Sequence, residues 1–190
     1  KEILHHKCSE ANFDGCLTFV IGENGMDLAM KYGLPANQII KTGNWLGPLL
    51  VAAAENGVKK LLLFGYHGKL IKLSGGVFHT HHHLADGRIE ILTSIAFREG
   101  ISFDLIELIS KSTSVENALL TLEVSNPEAV SLIWSRMAKE IEIKSRSYVN
   151  RYLSSSMEIG SVLFDRKRQM RWAGLEGLKQ INSLGLILKR

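Results

Sequence analysis

Four histidines stand within five residues, in the segment GGVFHTHHHLADGR that spans residues 75–88. Histidine is a common metal ligand and exchanges protons near neutral pH. On a strand His79, His81 and His83 would share one face, and on a helix His79, His82 and His83 would do so. Zinc needs three or four converging ligands, and no acidic residue or cysteine is clearly paired with the cluster. The segment therefore favours no protein-bound metal, with weak zinc binding as an alternative.

The composition is that of a soluble globular protein with a buried core. The 190 residues are 45% hydrophobic and 22% charged, a balance typical of such proteins. Cys8 and Cys16 are too few for a disulfide framework, so we expect a reducing, cytoplasmic environment. No apolar run approaches the roughly 20 residues that span a bilayer, and we expect no membrane contact. Because the chain begins with Lys1 rather than Met, we expect a fragment of a longer protein.

The charge pattern bears on the choice of partner. The net charge is +4, and the basic residues are spread along the chain without interleaved aromatic residues. Nucleic-acid-binding domains instead concentrate basic residues on one face. We therefore expect no nucleic-acid partner, and an acidic small molecule suits the charge as well. The sequence leaves a homo-oligomer open.

Short apolar runs that end in glycine predict strands in the first half of the chain. The predicted strands cover residues 16–22, 38–41 and 61–64. Residues 61–64 are wholly apolar, as in a parallel strand covered on both faces. Near the other end, residues 158–174 predict a strand pair around a charged turn.

Segments with helical spacing separate these strands. They cover residues 26–33, 45–57, 69–78, 88–99, 102–111, 114–124 and 126–149. Asn126 is the expected cap of the last helix, with Pro127 at its first position. Trp45 and Trp134 are expected to pack in the core or against a helix, with a stacking platform for a ligand as the alternative. This order predicts an α/β fold of three layers: a mostly parallel sheet with helices on both faces and a C-terminal strand pair. We expect residues 1–15 to be a linker or the remnant of a missing N-terminal domain, residues 16–175 the α/β domain, and residues 176–190 a tail.

Three predicted strands end in polar, glycine-bearing turns: GENG at residues 22–25, TGN at 42–44 and GYHGK at 65–69. In open α/β sheets, ligands bind outside the carboxyl ends of strands, where glycine lets the backbone approach and the next helix offers N–H groups. The candidate cofactor-binding residues are Gly22, Asn24, Gly25, Gly43, Asn44, Gly65 and Gly68. Such turns also need glycine without any ligand, and none of the three matches G-x-G-x-x-G or a P-loop, which disfavours NAD and ATP.

Between residues 44 and 92 the chain carries a run of short motifs. They are Asn44, Gly47, Gly65, Gly68-Lys69-Leu70, Lys72, Gly76-Val77-Phe78, Thr80-His81, Ala85-Asp86-Gly87-Arg88 and Glu90-Ile91-Leu92. In this combination the chain closely resembles the cobalt-precorrin-5B C1-methyltransferase family of anaerobic cobalamin (vitamin B12) biosynthesis. The resemblance is strongest over residues 44–92 and extends from residue 16 to residue 164.

The resemblance implies methyl transfer from S-adenosylmethionine to C-1 of cobalt-precorrin-5B, a cobalt-containing tetrapyrrole. It also implies an N-terminal domain that lies outside this chain. Because the substrate carries many carboxylates, basic residues of the matching segment suit it. The expected substrate-binding residues are Lys69, Lys72, Thr80, Asp86 and Arg88. Without a ligand, Asp86 and Arg88 would be a helix-start pair and Lys72 part of a solvated face.

His81 is the histidine of the cluster that matches the family pattern. Its ordinary pKa suits a general base in the methyl transfer, and axial approach to the substrate's cobalt is an alternative. The family usually has His directly after the first glycine of the 65–69 turn, whereas this chain has Tyr66 there and His67 one position later. Where the family commonly reads Phe-Asn-Thr-His-Ser-Arg, residues 78–83 read FHTHHH. A truncated or degenerate corrinoid- or nucleotide-binding module without turnover is therefore an alternative function, and a His-rich metal-binding hydrolase ranks last.

Overall fold

The computed structural model describes residues 1–22, 25–81, 83 and 86–188. Within these ranges five strands form one sheet in the order β2-β1-β3-β4-β5. The strands are β1 (Cys16–Ile21), β2 (Ile39–Thr42), β3 (Lys60–Tyr66), β4 (Glu158–Phe164) and β5 (Met170–Ala173). The first four are parallel, and β5 is antiparallel to β4. The predicted α/β class, with its mostly parallel sheet and C-terminal strand pair, is confirmed.

Helices cover both faces of the sheet. In the described part of the chain they are α1 (Glu2–Cys8), α2 (Met26–Lys31), α3 (Leu46–Glu55), α4 (His67–Ser74), α5 (Arg88–Arg98), α6 (Phe103–Ser110), α7 (Val115–Ser125), α8 (Pro127–Asn150) and α9 (Leu175–Ser183). Side chains alternate along β3, so that Leu61 and Leu63 belong to a larger core that includes side chains of α3, α4, α5, α7 and α8. Leu62 and Phe64 belong to a smaller core with α2 and α9. Burial on both faces explains why residues 61–64 are apolar without alternation.

The C-terminal strand pair belongs to the main sheet, a point that the sequence left open. β4 pairs in parallel with β3, from Lys60 opposite Glu158 to Tyr66 opposite Phe164. Helices α4 to α8 occupy the chain between these two strands. The carboxyl ends of β1, β2, β3 and β4 therefore lie along one side of the sheet, which we call the carboxyl edge.

The predicted helix over residues 69–78 is wrong in its extent. α4 begins at His67, directly after β3, and ends at Ser74. Gly76 has a φ of +81°, and the Val77 N–H donates to the carbonyl of Lys72 over 2.9 Å. The chain leaves the helix there because this closure satisfies a terminal carbonyl and needs a left-handed residue, which glycine provides.

The long helix α8 begins as the sequence predicts. The Asn126 side chain accepts a hydrogen bond from the Ala129 N–H (2.9 Å), and Pro127 lies in the first turn, where an N–H has no intrahelical partner. Trp134 on this helix is fully buried, as predicted. The prediction of core packing for Trp45 is wrong, because this side chain is 66% exposed. It lies at the boundary of α3 and packs edge-on against His79, with ring centroids 4.4 Å apart.

The two ends of the described chain also pack on the sheet. Leu4 of α1 belongs to the larger core, and Ile181 of α9 to the smaller one. The proposed division into residues 1–15, 16–175 and 176–190 stays a prediction. No helix in the described ranges combines the length and apolar character that a bilayer crossing requires.

One buried carboxylate ties α8 to the sheet and to α9. Glu142 is 3% exposed and accepts hydrogen bonds from the N–H groups of Ser161 (3.0 Å), Gly177 (2.8 Å) and Glu176 (3.2 Å). The last two lie in the first turn of α9, where N–H groups lack intrahelical partners. Burial raises the pKa of Glu142, and the three backbone donors oppose that shift. A side chain at Gly174 would prevent this approach, because a Cβ there would lie 2.1 Å from the Glu142 carboxyl carbon.

Replacing Glu142 with Ala leaves three N–H groups without their acceptor, and an unsatisfied buried donor costs about 1–3 kcal/mol. After relaxation and hydration, we expect the free energy of unfolding to fall by about 3 kcal/mol, measured by urea denaturation. Lys144→Ala, at an exposed position of the same helix, is the matched control and should change it by less than about 0.5 kcal/mol. A Glu142→Ala protein as stable as the wild type would contradict this role.

Candidate functional site

A cleft of about 540 Å³ opens at the carboxyl edge, between the ends of β1, β3 and β4. Its apolar lining comes from strand ends and its charged lining from the segments that follow them. The lining residues are Ile21, Gly22, Tyr66, Lys69, Phe164, Asp165, Arg166 and Arg168. Open α/β sheets bind ligands in crevices at this edge, and the volume is within the range of small-molecule sites. We call it the edge cleft.

Lys69, a predicted substrate-binding residue, lies against Gly22, a predicted cofactor-binding residue. Its side chain crosses the backbone of Gly22, because a Cβ on that glycine would lie 3.2 Å from the Lys69 Nζ. Gly22 has a φ of +95°, a conformation that favours glycine. Neither Lys69 nor Arg166 forms a hydrogen bond or ion pair with another described residue. The two side chains therefore give the cleft positive charge that no described ion pair neutralises.

The turn between β4 and β5 carries Arg166 and Arg168 to the cleft. Within the turn, the Asp165 N–H donates to the Gln169 carbonyl (3.1 Å), and the Gln169 N–H donates to the Asp165 carboxylate (3.0 Å). The Arg168 guanidinium donates to Asp27 on α2 over 2.5 Å, and this bond lowers the pKa of Asp27. The turn is thus closed on itself and anchored to α2, and the charge of Arg168 is paired.

A hydrogen-bonded network lies behind the cleft wall formed by Tyr66. The Tyr66 hydroxyl donates to the Glu116 carboxylate (2.7 Å), and the His67 Nε2 lies 2.8 Å from the same oxygen. The Trp134 indole N–H donates to the His67 Nδ1 over 3.1 Å. Because an indole only donates, Nδ1 must be the acceptor and Nε2 must carry the proton. This bonding pattern assigns the buried His67 to its neutral Nε2–H form.

The charges of this network follow from its burial and its donors. Hydrogen bonds from His67 and Tyr66 lower the pKa of Glu116 against the opposing effect of burial. Burial and the bond to Glu116 raise the pKa of Tyr66. At neutral pH Glu116 is therefore an anion that holds a protonated Tyr66, with the phenol ring fixed in the cleft wall. Sequence reasoning missed Glu116, because nothing in its local pattern connects α7 with the end of β3.

A second group of predicted residues lies where the segment before α3 meets the segment after α4. The Thr80 hydroxyl donates to the Asn44 side-chain oxygen (2.9 Å), and the Thr80 N–H donates to the Asn44 carbonyl (2.9 Å). The N–H groups of Leu46 and Gly47 donate to the Phe78 carbonyl at 3.0 and 3.2 Å. Asn44, a predicted cofactor-binding residue, and Thr80, a predicted substrate-binding residue, thus bond to each other, and their contacts with ligands stay predictions.

Lys72 and His81 also meet, although not as two substrate ligands in one pocket. Lys72 is 1% exposed, and its Nζ donates to the His81 carbonyl over 3.0 Å. Burial lowers the pKa of Lys72. The His81 Nδ1 accepts a bond from the His83 N–H (3.3 Å), and the two rings lie 5.0 Å apart. Lys72 is therefore a positioning residue for the histidine segment, and direct contacts of Lys72 and His81 with a substrate stay predictions.

Asp86 and Arg88 pair with each other at the start of α5. Arg88 donates through Nε and Nη2 to the two Asp86 carboxylate oxygens, at 2.5 and 2.8 Å. This bidentate pair holds the pKa of Asp86 at about 2. Both residues line a pocket of about 180 Å³ between the first turns of α5 and α7. Their predicted contact with substrate stays a prediction.

The candidate cofactor-binding glycines lie at or near the carboxyl ends of adjacent strands, with Thr42 and Gly65 each opposite Ile21, but they differ in exposure. Gly22 lines the edge cleft, whereas Gly43 is exposed beyond the end of β2. Gly65 is buried against Leu70 and Ile21, and Gly68 lies under the Tyr66 ring. Gly25 is buried against Val20, and Asn24 lies outside the described residues. Cofactor binding by this set stays a prediction, and one of its described members lines the cleft.

The metal question concerns the described residues alone, since His82 lies outside them together with Leu84 and Ala85. Among the residues that the structure describes, no group of three His, Cys, Asp or Glu side chains is placed to hold a metal ion.

Glu116 provides a test of the network through pH. Its pKa is lowered in the folded state, so the unfolded chain binds the proton first as the pH falls. Wild-type stability from this group is complete above the ordinary glutamate pKa of about 4.3 and is lost as the pH falls through the lower folded value. We expect urea denaturation between pH 3 and 6 to show a steeper loss of stability for the wild type than for Glu116→Gln. Glu107→Gln, at an exposed pair with Lys111, is the control; an unchanged pH slope in Glu116→Gln would contradict the network.

Comparison with known proteins places the chain in a family. The family model described as CbiD, C-terminal domain, matches residues 79–174. A relative from Prochlorococcus marinus (strain NATL2A), named cobalt-precorrin-5B C(1)-methyltransferase, is 99% identical over 190 residues, which are 100% of this chain and 50% of the relative. Relatives with the same name from Prochlorococcus marinus (strain MIT 9313) and Synechococcus sp. (strain CC9902) are 53% identical over 185 residues and 52% identical over 165 residues. These matches cover 97% and 87% of this chain, and 48% and 45% of the two relatives.

The chain spans about half the length of the curated relatives that it matches. No solved structure matches it. The family match covers half of the chain and includes the histidine segment, the Asp86–Arg88 pair, Glu116 and the turn that carries Arg166. The resemblance found in the sequence is confirmed, and the chain belongs to the family of CbiD C-terminal domains.

Proposed function

We propose that the full-length protein is an S-adenosylmethionine-dependent methyltransferase that acts on C-1 of cobalt-precorrin-5B, and that this chain supplies the edge cleft to its active site. The observation that carries the proposal is the 99% identity, over the whole of this chain, with a relative of that name. The cleft supports it with a site of suitable size at the edge where α/β sheets bind ligands.

The chemistry asks little of the protein beyond alignment and water exclusion. The donor supplies a methyl group on a positively charged sulfur; a bond forms from the ring carbon to that methyl group while the methyl–sulfur bond breaks, and its electrons remain on sulfur. Holding the two reactants in line can contribute about 7–11 kcal/mol to lowering the barrier. Tyr66, fixed by Glu116, and the anchored turn that carries Arg166 are rigid walls suited to this task.

His81 is the proposed general base for a proton that the tetrapyrrole loses as it rearranges. The bond from Lys72 to the His81 carbonyl holds the segment in place, and the bond from the His83 N–H orients the ring through Nδ1. Because Nδ1 accepts that bond, Nε2 carries the proton of the neutral ring, and Nδ1 is the nitrogen proposed to accept the substrate proton in exchange for the bond from the His83 N–H. Lys72 acts on His81 as a positioning residue in this proposal.

The test uses the full-length Prochlorococcus marinus (strain NATL2A) relative with cobalt-precorrin-5B and methyl-labelled S-adenosylmethionine. We expect label in the product and a kcat at least about 100-fold lower for His81→Ala, as typical when a general base is removed. His6→Ala, at an exposed position of α1, is the control and should leave kcat unchanged. Unchanged turnover in His81→Ala would exclude the base role, and tetrapyrrole binding without label transfer by the wild type would favour the non-catalytic binding module.

A further inference from the structure

We infer that Lys69 and Arg166 bind a carboxylate group of the tetrapyrrole acceptor in the edge cleft, and that the sulfonium donor binds elsewhere. The inference deepens the proposed function and rests on it. Gly22, which lines this cleft, is a predicted cofactor-binding residue, whereas we assign the cleft to the acceptor.

The charged side chains around the cleft leave it with a positive rim. Four charged side chains line it, and Arg168 is paired with Asp27. The Asp165 carboxylate is 4% exposed and accepts the Gln169 N–H inside its own turn, with the Arg171 Nη1 3.6 Å away. Lys69 and Arg166 thus remain as cations without an ion pair to another described residue. Beside the hydrogen bonds from His67 and Tyr66, the charge of Arg166 lowers the pKa of Glu116, the anion behind the Tyr66 wall. The cleft has a positive rim.

The two reactants carry opposite net charges. The donor carries a sulfonium and an ammonium against one carboxylate, so its net charge is positive at neutral pH. The acceptor is a tetrapyrrole with several carboxylates around its ring. Like charges repel and unlike charges attract most strongly where water is partly excluded, as between the walls of a cleft. The positive rim therefore favours the acceptor and opposes the donor.

The lining of the cleft combines an apolar wall with a cationic rim. Ile21, Phe164 and the Tyr66 ring form an apolar wall, and the Tyr66 and Phe164 ring centroids lie 6.2 Å apart. The Tyr66 hydroxyl is directed to Glu116. A flat macrocycle with an apolar face and a carboxylate-bearing edge matches an aromatic wall under a cationic rim. Arg166 offers a planar fork for a carboxylate, and Lys69 offers a compact charge.

Lys69 and Arg166 both lie on segments whose backbone is fixed by hydrogen bonds. Arg166 belongs to the turn closed by Asp165 and Gln169 and anchored on α2. Lys69 belongs to the first turn of α4 and crosses Gly22. Fixed carriers reduce the ordering that a ligand must impose when it binds. The backbone positions of both cations are therefore fixed, and the exposed Arg166 side chain is open to a ligand.

The experiment measures the two ligands separately on the full-length Prochlorococcus marinus (strain NATL2A) relative, without turnover. Uroporphyrin, a tetrapyrrole octacarboxylate, is the acceptor probe, followed by fluorescence; S-adenosylhomocysteine is the donor probe, followed by calorimetry. We expect Lys69→Gln and Arg166→Gln each to weaken uroporphyrin binding at least about tenfold, since a lost charge-assisted bond has that order of effect. The Kd for S-adenosylhomocysteine should stay within about twofold, because a fully lost contact would change it far more.

Lys167→Gln is the matched control, since Lys167 is exposed on the same turn as Arg166 and does not line the cleft. It should leave both Kd values unchanged, which separates the local contacts from a general loss of positive charge. Added salt should weaken uroporphyrin binding to the wild type more than to the double variant Lys69→Gln/Arg166→Gln, because screening acts on the pair that the variant lacks.

Each remaining outcome overturns the inference in a distinguishable way. Weaker S-adenosylhomocysteine binding with unchanged uroporphyrin binding would place the donor in the cleft, with its own carboxylate on Lys69. No change in either ligand would remove the cleft from both sites, and no uroporphyrin binding by the wild type would remove it from the acceptor site. A wild-type enzyme without methyl transfer to cobalt-precorrin-5B would instead overturn the proposed function, because the binding measurements do not depend on turnover.

Discussion

The parallel pairing of β3 with β4 brings the turn that carries Arg166 to the same end of the sheet as Lys69. The pairing places Phe164 opposite Tyr66, so the turn after β4 emerges beside the first turn of α4. Were β4 antiparallel to β3, the same turn would lie at the other end of the sheet, far from Lys69. Glu142 on α8 supports this arrangement, because its carboxylate accepts hydrogen bonds from N–H groups of both β4 and α9. Glu142 thus supports the arrangement of β4 and α9 without lining the edge cleft.

Local sequence patterns predicted the elements but not the long-range contacts that join them. The apolar run at residues 61–64, the Asn126 cap and the glycine turns are local signals, and each has its counterpart in the described structure. The position of β4 could not be predicted, because helices α4 to α8 separate it from its partner strand and β4 is as apolar as any buried strand. Glu116 was missed for the same reason. The family resemblance identified the important segment, yet it too gave no partner for any side chain.

The structure distinguishes basic side chains that already have internal partners from those that line the edge cleft. From sequence, Lys69, Lys72 and Arg88 are equivalent candidates for binding carboxylates. In the structure Lys72 is buried under the His81 carbonyl, and Arg88 is held by Asp86 in a bidentate pair. Arg166, which sequence reasoning treated as part of a charged turn, lines the cleft together with Lys69. A cation that already has an internal partner must break that bond to take a ligand, so Lys69 and Arg166 are better placed.

Tyr66 stands where the resemblance implies a histidine, and it gives the edge cleft an aromatic wall. At this position an imidazole would bring a titratable nitrogen to the wall, whereas the phenol presents its ring and turns its hydroxyl to Glu116. The displaced histidine, His67, is buried and accepts the Trp134 N–H, a bond that its protonated form could not accept. Proton transfer from this wall is therefore disfavoured, because the phenol keeps its proton at neutral pH and the imidazole is enclosed. A wall of this kind suits binding and alignment, and it leaves proton transfer to a residue on another segment, which is the role proposed for His81.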